Sequence, residues 1–130
     1  MKNILILDDE KTILEVLTNA LPRMIPGSKP TAFSDIIQIV TTMEILAQGN
    51  KVHWPDLVIS DYHLPNGTGD VVLQFAAKLF PDAKLILMSG GADEKLLRAA
   101  RKKVPRDITF LQKPFSLAHL REAIVGDNTH

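Results

Sequence analysis

Cysteine is absent from the 130 residues, which excludes both a disulfide framework and a thiolate metal site. Neither sign of charge is in excess, because 15 basic residues balance 15 acidic ones, and a neutral chain has no overall field to attract nucleic acid or an anionic membrane. No apolar run approaches the roughly 20 residues of a membrane span, and the run in MKNILILDDE is too short for a signal peptide. These absences predict a cytoplasmic location.

Short apolar runs alternate five times with segments of helical period. The predicted strands are NILIL (3–7), KPTAF (29–33), DLVIS (56–60), KLILM (84–88) and ITFLQ (108–112). The apolar residues expected to mark the five helices are Ile13 to Leu21 with a stop around Pro22, Ile36 to Leu46, the set Val71, Val72, Phe75 and Leu79, Leu96 to Ala100, and Leu117 to Ile124 behind a cap at Ser116. An extra turn is expected within 48–56. This order predicts one α/β domain, a doubly wound parallel sheet with five helices on its two faces.

Polar residues stand where the predicted strands end. The first strand runs into Asp8, Asp9 and Glu10, and the third runs directly into Asp61. The fourth strand is followed by Ser-Gly-Gly (89–91), and the fifth by Lys-Pro-Phe (113–115). Because the carboxyl ends of parallel strands share one edge of a sheet, these groups are expected to converge there.

Each of these groups has a simpler interpretation when it is taken alone. The acids at 8–10 could cap the first helix, and Asp61 could begin a turn in a loop rich in glycine and proline. Lys113 could be a solvated loop residue. The joint placement of carboxylates, a hydroxyl and an ammonium at successive strand ends favours a site over a series of coincidences.

The residue types at this edge suit phosphoryl transfer. Clustered carboxylates repel one another, and a hard divalent cation such as Mg²⁺ relieves the repulsion while leaving room for phosphate oxygens. A carboxylate beside such an ion can act as a nucleophile toward phosphorus. The Ser89 hydroxyl and the Lys113 ammonium could then stabilise the charge on the transferring group.

In the four stretches LILDDE, LVISDYHLPNGTGD, LILMSGG and FLQKPF, the chain resembles a response-regulator receiver domain, the phosphoacceptor domain of two-component signalling. The resemblance covers about residues 2–125 and leaves 126–130 as a short tail of one domain, 1–130. It implies a flavodoxin-like sheet with strand order 2-1-3-4-5. It also implies a signalling domain, not an enzyme, that is phosphorylated by a histidine kinase or a histidine phosphotransfer protein.

The resemblance assigns a role to each residue of the site. Asp61 corresponds to the phosphorylated aspartate. Asp8, Asp9, Asp61 and the backbone carbonyl of His63 correspond to the ligands of Mg²⁺, for which Mn²⁺ could substitute. Ser89, Gly90 and Lys113 correspond to the phosphate-binding set, in which the family usually has alanine at the position of Gly90. Ser89 and Phe110 correspond to the switch residues, although Phe110 could equally be an ordinary core aromatic.

Other functions remain open at this stage. A haloacid-dehalogenase phosphatase would need its two acids two residues apart after the first strand. In a flavodoxin-like nucleotide-binding protein, acids at 8–10 would repel the phosphate of the nucleotide. A degenerate receiver could act as a docking module that needs no phosphorylation. The basic segment KLLRAARKKVPR (95–106) fits a solvated helix face better than a nucleic-acid site. The family resemblance implies that a downstream protein binds the fourth helix, fifth strand and fifth helix.

One backbone feature is also predicted, a cis peptide bond between Lys113 and Pro114. Only about 5–6% of X-Pro bonds in folded proteins are cis. The prediction rests on the sharp turn that the chain must make to aim Lys113 back at the site.

Overall fold

A computed structural model describes residues 1–91 and 94–126 of the chain, so residues 127–130 of the predicted tail lie outside it. The main strands are β1 (Asn3–Leu7), β2 (Lys29–Phe33), β3 (Leu57–Asp61), β6 (Lys84–Ser89) and β7 (Thr109–Gln112), and a hairpin adds β4 (His63–Leu64) and β5 (Gly67–Thr68). The helices are α1 (Lys11–Met24), α2 (Ile36–Gln48), α3 (Gly69–Leu79), α4 (Glu94–Lys103) and α5 (Leu117–Val125).

The five main strands form one parallel sheet in the order β2-β1-β3-β6-β7. Counting only these strands, the order is 2-1-3-4-5, and the predicted fold class is confirmed. Alternate residues of the central strands enter two separate cores. Leu5, Val58 and Leu85 pack beneath α2, α3 and α4, whereas Ile4 and Ile59 pack beneath α1 and α5. Burial on both faces explains why these strands are continuously apolar in the sequence.

The first helix continues past the proline that was expected to stop it. Pro22 lies inside α1, which ends at Met24, and the next backbone N–H, that of Ile25, donates to the Leu21 carbonyl at 2.8 Å. Pro22 cannot donate to the Thr18 carbonyl, but the residues after it keep the helical conformation through Met24, so the helix ends two residues later than expected.

The third helix presents a different face to the core from the one expected. Phe75 is 40% exposed, whereas the small residues Ala76 and Ala77 are buried together with Val72 and Leu73. The alanines allow α3 to lie close to the sheet, and the larger aromatic side chain is left outside. The expected extra turn before β3 is confirmed as a short 3₁₀ helix, Lys51–His53.

The peptide bond between Lys113 and Pro114 is cis, as predicted. None of the helices in the described ranges combines the length and apolar character that a membrane span requires.

Candidate phosphoacceptor and metal site

Adjacent strands bring the acids of β1 and β3 together. Leu7 pairs with Ser60 in the sheet register, so Asp8 and Asp61 follow side by side at the carboxyl edge. Asp8 is fully buried, and Asp61 is 4% exposed. Carboxylate oxygens of Asp8, Asp9 and Asp61 all lie within 4.8 Å of one another. Two adjacent acids after β1 and one at the end of β3 thus form one compact cluster.

The position of Asp61 is fixed by close contacts of its backbone. The Ser60 hydroxyl donates to the Asp61 carbonyl at 3.0 Å. Immediately beyond, the Tyr62 N–H donates to the Met88 carbonyl at 2.8 Å, and the Gly69 N–H donates to the Tyr62 carbonyl at 2.9 Å. A Cβ atom on Gly69 would lie 2.0 Å from the Asp61 carbonyl oxygen. Only glycine allows α3 to begin this close to the acceptor strand.

Lys113 reaches the acids from the neighbouring edge strand. Its backbone N–H donates to the Ser89 carbonyl at 2.8 Å, which holds the end of β7 beside the end of β6. Its Nζ atom lies 2.7 Å from Asp8 Oδ2, 3.3 Å from Asp61 Oδ1 and 3.4 Å from Glu10 Oε1. One ammonium therefore bridges carboxylates from both strand ends.

The electrostatics of the cluster show that this one ammonium leaves the acids uncompensated. Burial and the charge of Asp8 raise the pKa of Asp61, against the opposing effect of Lys113. Burial likewise raises the pKa of Asp8, although its bond to Lys113 opposes the shift. Burial works against the charged form of Lys113, but its contacts with Asp8, Asp61 and Glu10 outweigh this and raise its pKa. A further cation would lower the energy of the site.

The acid cluster has the chemistry of a site for a hard divalent cation. It offers carboxylate oxygens only, and one member, Asp9, is exposed to solvent while the other two are buried. Mg²⁺ takes one or two carboxylates and keeps several waters. An arrangement with buried acids and one open side fits this coordination.

Ser89 lies at the end of β6, beside the end of β3, and its hydroxyl does not contact the acid cluster among the described residues. It is 5% exposed and follows Met88, the residue that pairs with Asp61 in the register. Its hydroxyl donates to the Gly91 carbonyl at 3.2 Å. A Cβ atom added to Gly90 or to Gly91 would meet no heavy atom within 4 Å beyond its chain neighbours, so the loop after β6 is not crowded.

Two predicted residues lie outside the cluster. His63 lies in β4 with its side chain exposed, and its ring contacts Tyr62 edge-on at 5.0 Å between centroids. A role for its carbonyl as a metal ligand stays a prediction. Phe110 pairs with Leu87 in the sheet register, two residues before Ser89, and its side chain is half-buried.

Two contributors to this geometry were not predicted as site residues. Glu10 was expected at the same edge as Asp8 and Asp9, but nothing in the local pattern distinguishes it from a helix-capping acid; it contacts Lys113. Gly69 makes the closest approach to Asp61, and its position in a stretch rich in glycine was the available indication. The hairpin of β4 and β5 was also missed; its two-residue turn consists of Pro65 and Asn66, and Gly67 pairs with Leu64.

Comparison with protein families matches residues 4–125 to the response regulator receiver domain. Among curated proteins, the chain is 31% identical over 117 residues to the DNA-binding transcriptional regulator NtrC of Azospirillum brasilense, covering 90% of this chain and 22% of that protein. It is 35% identical over 88 residues to the sensor kinase CckA of Brucella abortus (strain 2308), covering 65% of this chain and 9% of that protein. The chain thus spans a small part of either relative.

Among solved structures, the fold is similar to that of a response regulator protein from Burkholderia pseudomallei. The TM-score is 0.77 at 24% identity, and the alignment covers 97% of this chain and 68% of the other. That protein was crystallised with a phosphorylated aspartic acid, a calcium ion and citrate. The similarity concerns the fold and places no ligand in this chain.

Proposed function

This chain belongs to the response regulator receiver domain family, signalling domains of two-component systems, and we propose that Asp61 is its phosphoacceptor. The phosphoryl group would come from a histidine kinase or a histidine phosphotransfer protein. The observation that carries the proposal is the convergence of Asp8 and Asp61 on the ammonium of Lys113, at 2.7 and 3.3 Å. Family membership alone would allow a degenerate docking module, but this chain retains the acids, the hydroxyl and the lysine that the reaction needs.

The proposed cofactor is Mg²⁺, with Mn²⁺ as a substitute. Asp8, Asp9 and Asp61 supply the carboxylate oxygens, and the His63 carbonyl is the proposed backbone ligand. Bound there, the ion would neutralise phosphate oxygens and bring donor and acceptor together. A related fold from Burkholderia pseudomallei holds a calcium ion together with a phosphorylated aspartic acid, which supports a divalent cation beside the acceptor.

The transfer itself would use the groups already in place. A carboxylate oxygen of Asp61 forms a bond to phosphorus as the bond from phosphorus to the donor atom breaks, which yields an acyl phosphate. Lys113 would move its ammonium from the free carboxylates to the phosphoryl oxygens, a shift that needs no change in its backbone. The Ser89 hydroxyl and the backbone N–H of Gly90 would donate to the same oxygens. Preorganised donors of this kind stabilise the charge of the transition state.

The proposed output is a change of surface. When Ser89 donates to the phosphoryl group it moves toward Asp61, and Phe110 moves inward to fill the space. The surface of α4, β7 and α5 would then bind a downstream protein with altered affinity. We place the domain in the cytoplasm, with a protein partner on the basic helix α4 in preference to nucleic acid or a membrane.

Incubation with acetyl phosphate and Mg²⁺ is expected to add one phosphoryl group to the chain, mapped to the peptide that contains Asp61 by mass spectrometry. The label should be absent in EDTA and absent in Asp61→Asn, because neither arrangement retains both a nucleophile and a cation. Asp107→Asn is the matched control and should be labelled like wild type, because Asp107 is exposed and precedes β7, at the opposite end of that strand from Lys113. Labelling of Asp61→Asn to the wild-type level would exclude Asp61 as acceptor, and no labelling of wild type would favour the docking module.

We also expect His63 to set the lifetime of the acyl phosphate and not the ability to form it. Its side chain is exposed two residues after Asp61, and we propose that it flanks the path by which water reaches the acyl phosphate. Gly91 has no side chain to share that role. An imidazole there could orient the water or accept its proton.

Substitution of His63 distinguishes the role of its side chain from that of its backbone carbonyl, which remains in place. His63→Ala and His63→Lys should both be labelled to the wild-type level, and their acyl phosphates should decay at rates that differ from wild type by about three-fold or more, within the range of general acid–base effects. The measurement is loss of label after removal of the phosphodonor. Identical decay in all three proteins across the neutral pH range would restrict His63 to a backbone role.

A further inference from the structure

Helix α4 is the most basic element of a chain whose formal net charge is zero. It carries five lysines and arginines and a single glutamate over ten residues. Arg101 and Lys103 each contact a residue on another element, and the two contacts lie on either side of the helix.

The first contact involves the proposed switch aromatic. The Arg101 guanidinium carbon lies 4.7 Å from the centroid of the Phe110 ring, within the distance of a cation–π interaction. Arg101 is exposed, and Phe110 is half-buried at the edge of the core beneath α2, α3 and α4. The guanidinium therefore covers the outer face of the ring. Movement of the ring inward would take it away from this cation.

The second contact fixes the end of the helix. Lys103 Nζ lies 3.1 Å from Asp70 Oδ2, and the Asp70 side chain is 1% exposed. Its other oxygen, Oδ1, has no hydrogen-bond partner within the described residues, so Lys103 is the charge that compensates this buried carboxylate. Asp70 directly follows Gly69, which abuts the Asp61 carbonyl. The end of α4 is thus tied to the rigid segment that holds the acceptor.

We propose that Arg101 is a positioning residue of the switch, which holds Phe110 in the resting position, and that the Lys103–Asp70 ion pair is a structural contact independent of the switch. The inference rests on the proposed function and goes beyond it by naming what opposes activation. The Arg101–Phe110 contact exists only while the ring is outside, so it stabilises the resting state alone. The ion pair involves no group of the switch and stabilises both states.

The two contacts therefore differ in their effect on a phosphoryl mimic. A ligand shifts a two-state equilibrium only through interactions that differ between the states, and the coupling is reciprocal. Removing Arg101 should favour the active state and tighten binding of a mimic by about two- to five-fold, the equivalent of one exposed cation–π contact. Removing Lys103 should lower stability and leave the affinity of the folded protein unchanged.

The test is titration of the whole chain with beryllofluoride and Mg²⁺, followed by amide NMR shifts of residues 109–112. Arg101→Met should bind more tightly than wild type, and its unliganded shifts should lie partway toward the bound position. Arg101→Lys, which keeps a cation on a flexible stem, should have an affinity between those of wild type and Arg101→Met. Lys102→Met is the matched control, since this neighbour is exposed and makes no ion pair or ring contact among the described residues. Lys103→Met should match wild type in affinity and fall below it in denaturant midpoint.

Equal affinity of wild type, Arg101→Met and Lys102→Met would overturn the inference while leaving the proposed function intact. Weaker binding by Arg101→Met would overturn it as well, because the contact would then support the active state. A wild-type chain that binds no beryllofluoride and takes up no phosphoryl group would instead remove the proposed function, and the role of Arg101 with it.

Discussion

Replacement of Gly69 by alanine is expected to destabilise the protein by about 3 kcal/mol, the upper part of the usual range for overpacking a tight site. The added Cβ would lie 2.0 Å from the Asp61 carbonyl oxygen and 2.6 Å from Ser60 Oγ. Both atoms belong to a buried central strand, so relief requires a shift of β3 or of the start of α3. A shift of β3 moves Asp61 relative to Lys113, and a shift of α3 removes the contact that holds the Asp61 backbone in place. Denaturant unfolding measures the first effect, and the rate of labelling by acetyl phosphate, expected to fall at least about ten-fold, measures the second.

Gly90→Ala is the matched control for this substitution. An added Cβ there meets no heavy atom within 4 Å, and Gly90 does not have a positive φ. Its stability should lie within about 0.5 kcal/mol of wild type, as for most surface substitutions. If Gly69→Ala were as stable as Gly90→Ala and were labelled at the wild-type rate, close approach at Gly69 would not be what positions Asp61.

The sheet could be predicted from the sequence because its signals are local. Each central strand is buried on both faces, so its whole length must be apolar, and the pattern is visible without knowledge of its neighbours. The ends of the helices and the faces that they bury were harder to predict. Pro22 does not end α1, because Leu21 and Met24 on either side of it pack against the core. Phe75 is exposed because Ala76 and Ala77 fill the space next to the sheet. Both outcomes depend on packing against elements distant in the sequence.

The site could be predicted in outline for a topological reason. Parallel strands place their carboxyl ends at one edge, so polar residues that follow them must meet there whatever the intervening helices contain. Contacts made by long side chains across elements have no such rule. Neither Arg101 over Phe110 nor Lys103 on Asp70 follows from any periodicity, because each depends on how α4 lies against its neighbours. The residues that tune the site were therefore harder to identify than those that form it.

Lys113→Met is expected to destabilise the metal-free protein by about 3–5 kcal/mol, the usual cost of removing one partner from a buried ion pair. Methionine keeps most of the length of the side chain, so the main loss is the ammonium that Asp8 and Asp61 share. The measurement is the free energy of unfolding in EDTA. Saturating Mg²⁺ should recover part of the loss, because the ion supplies positive charge to the same carboxylates.

The pH dependence of Lys113→Met distinguishes charge from packing. Asp8 and Asp61 have pKa values raised above the ordinary 3.8, so between that value and their folded values the native state binds more protons than the unfolded state. Stability contributed by these groups therefore rises as the pH falls through that window. Without the ammonium both pKa values rise further, so acidification stabilises the variant more than it stabilises wild type. The difference in unfolding free energy between the two proteins should narrow from about pH 7 to about pH 5. A difference that stays constant over this range would mean that Lys113 stabilises the fold by its packing and that its charge contributes little.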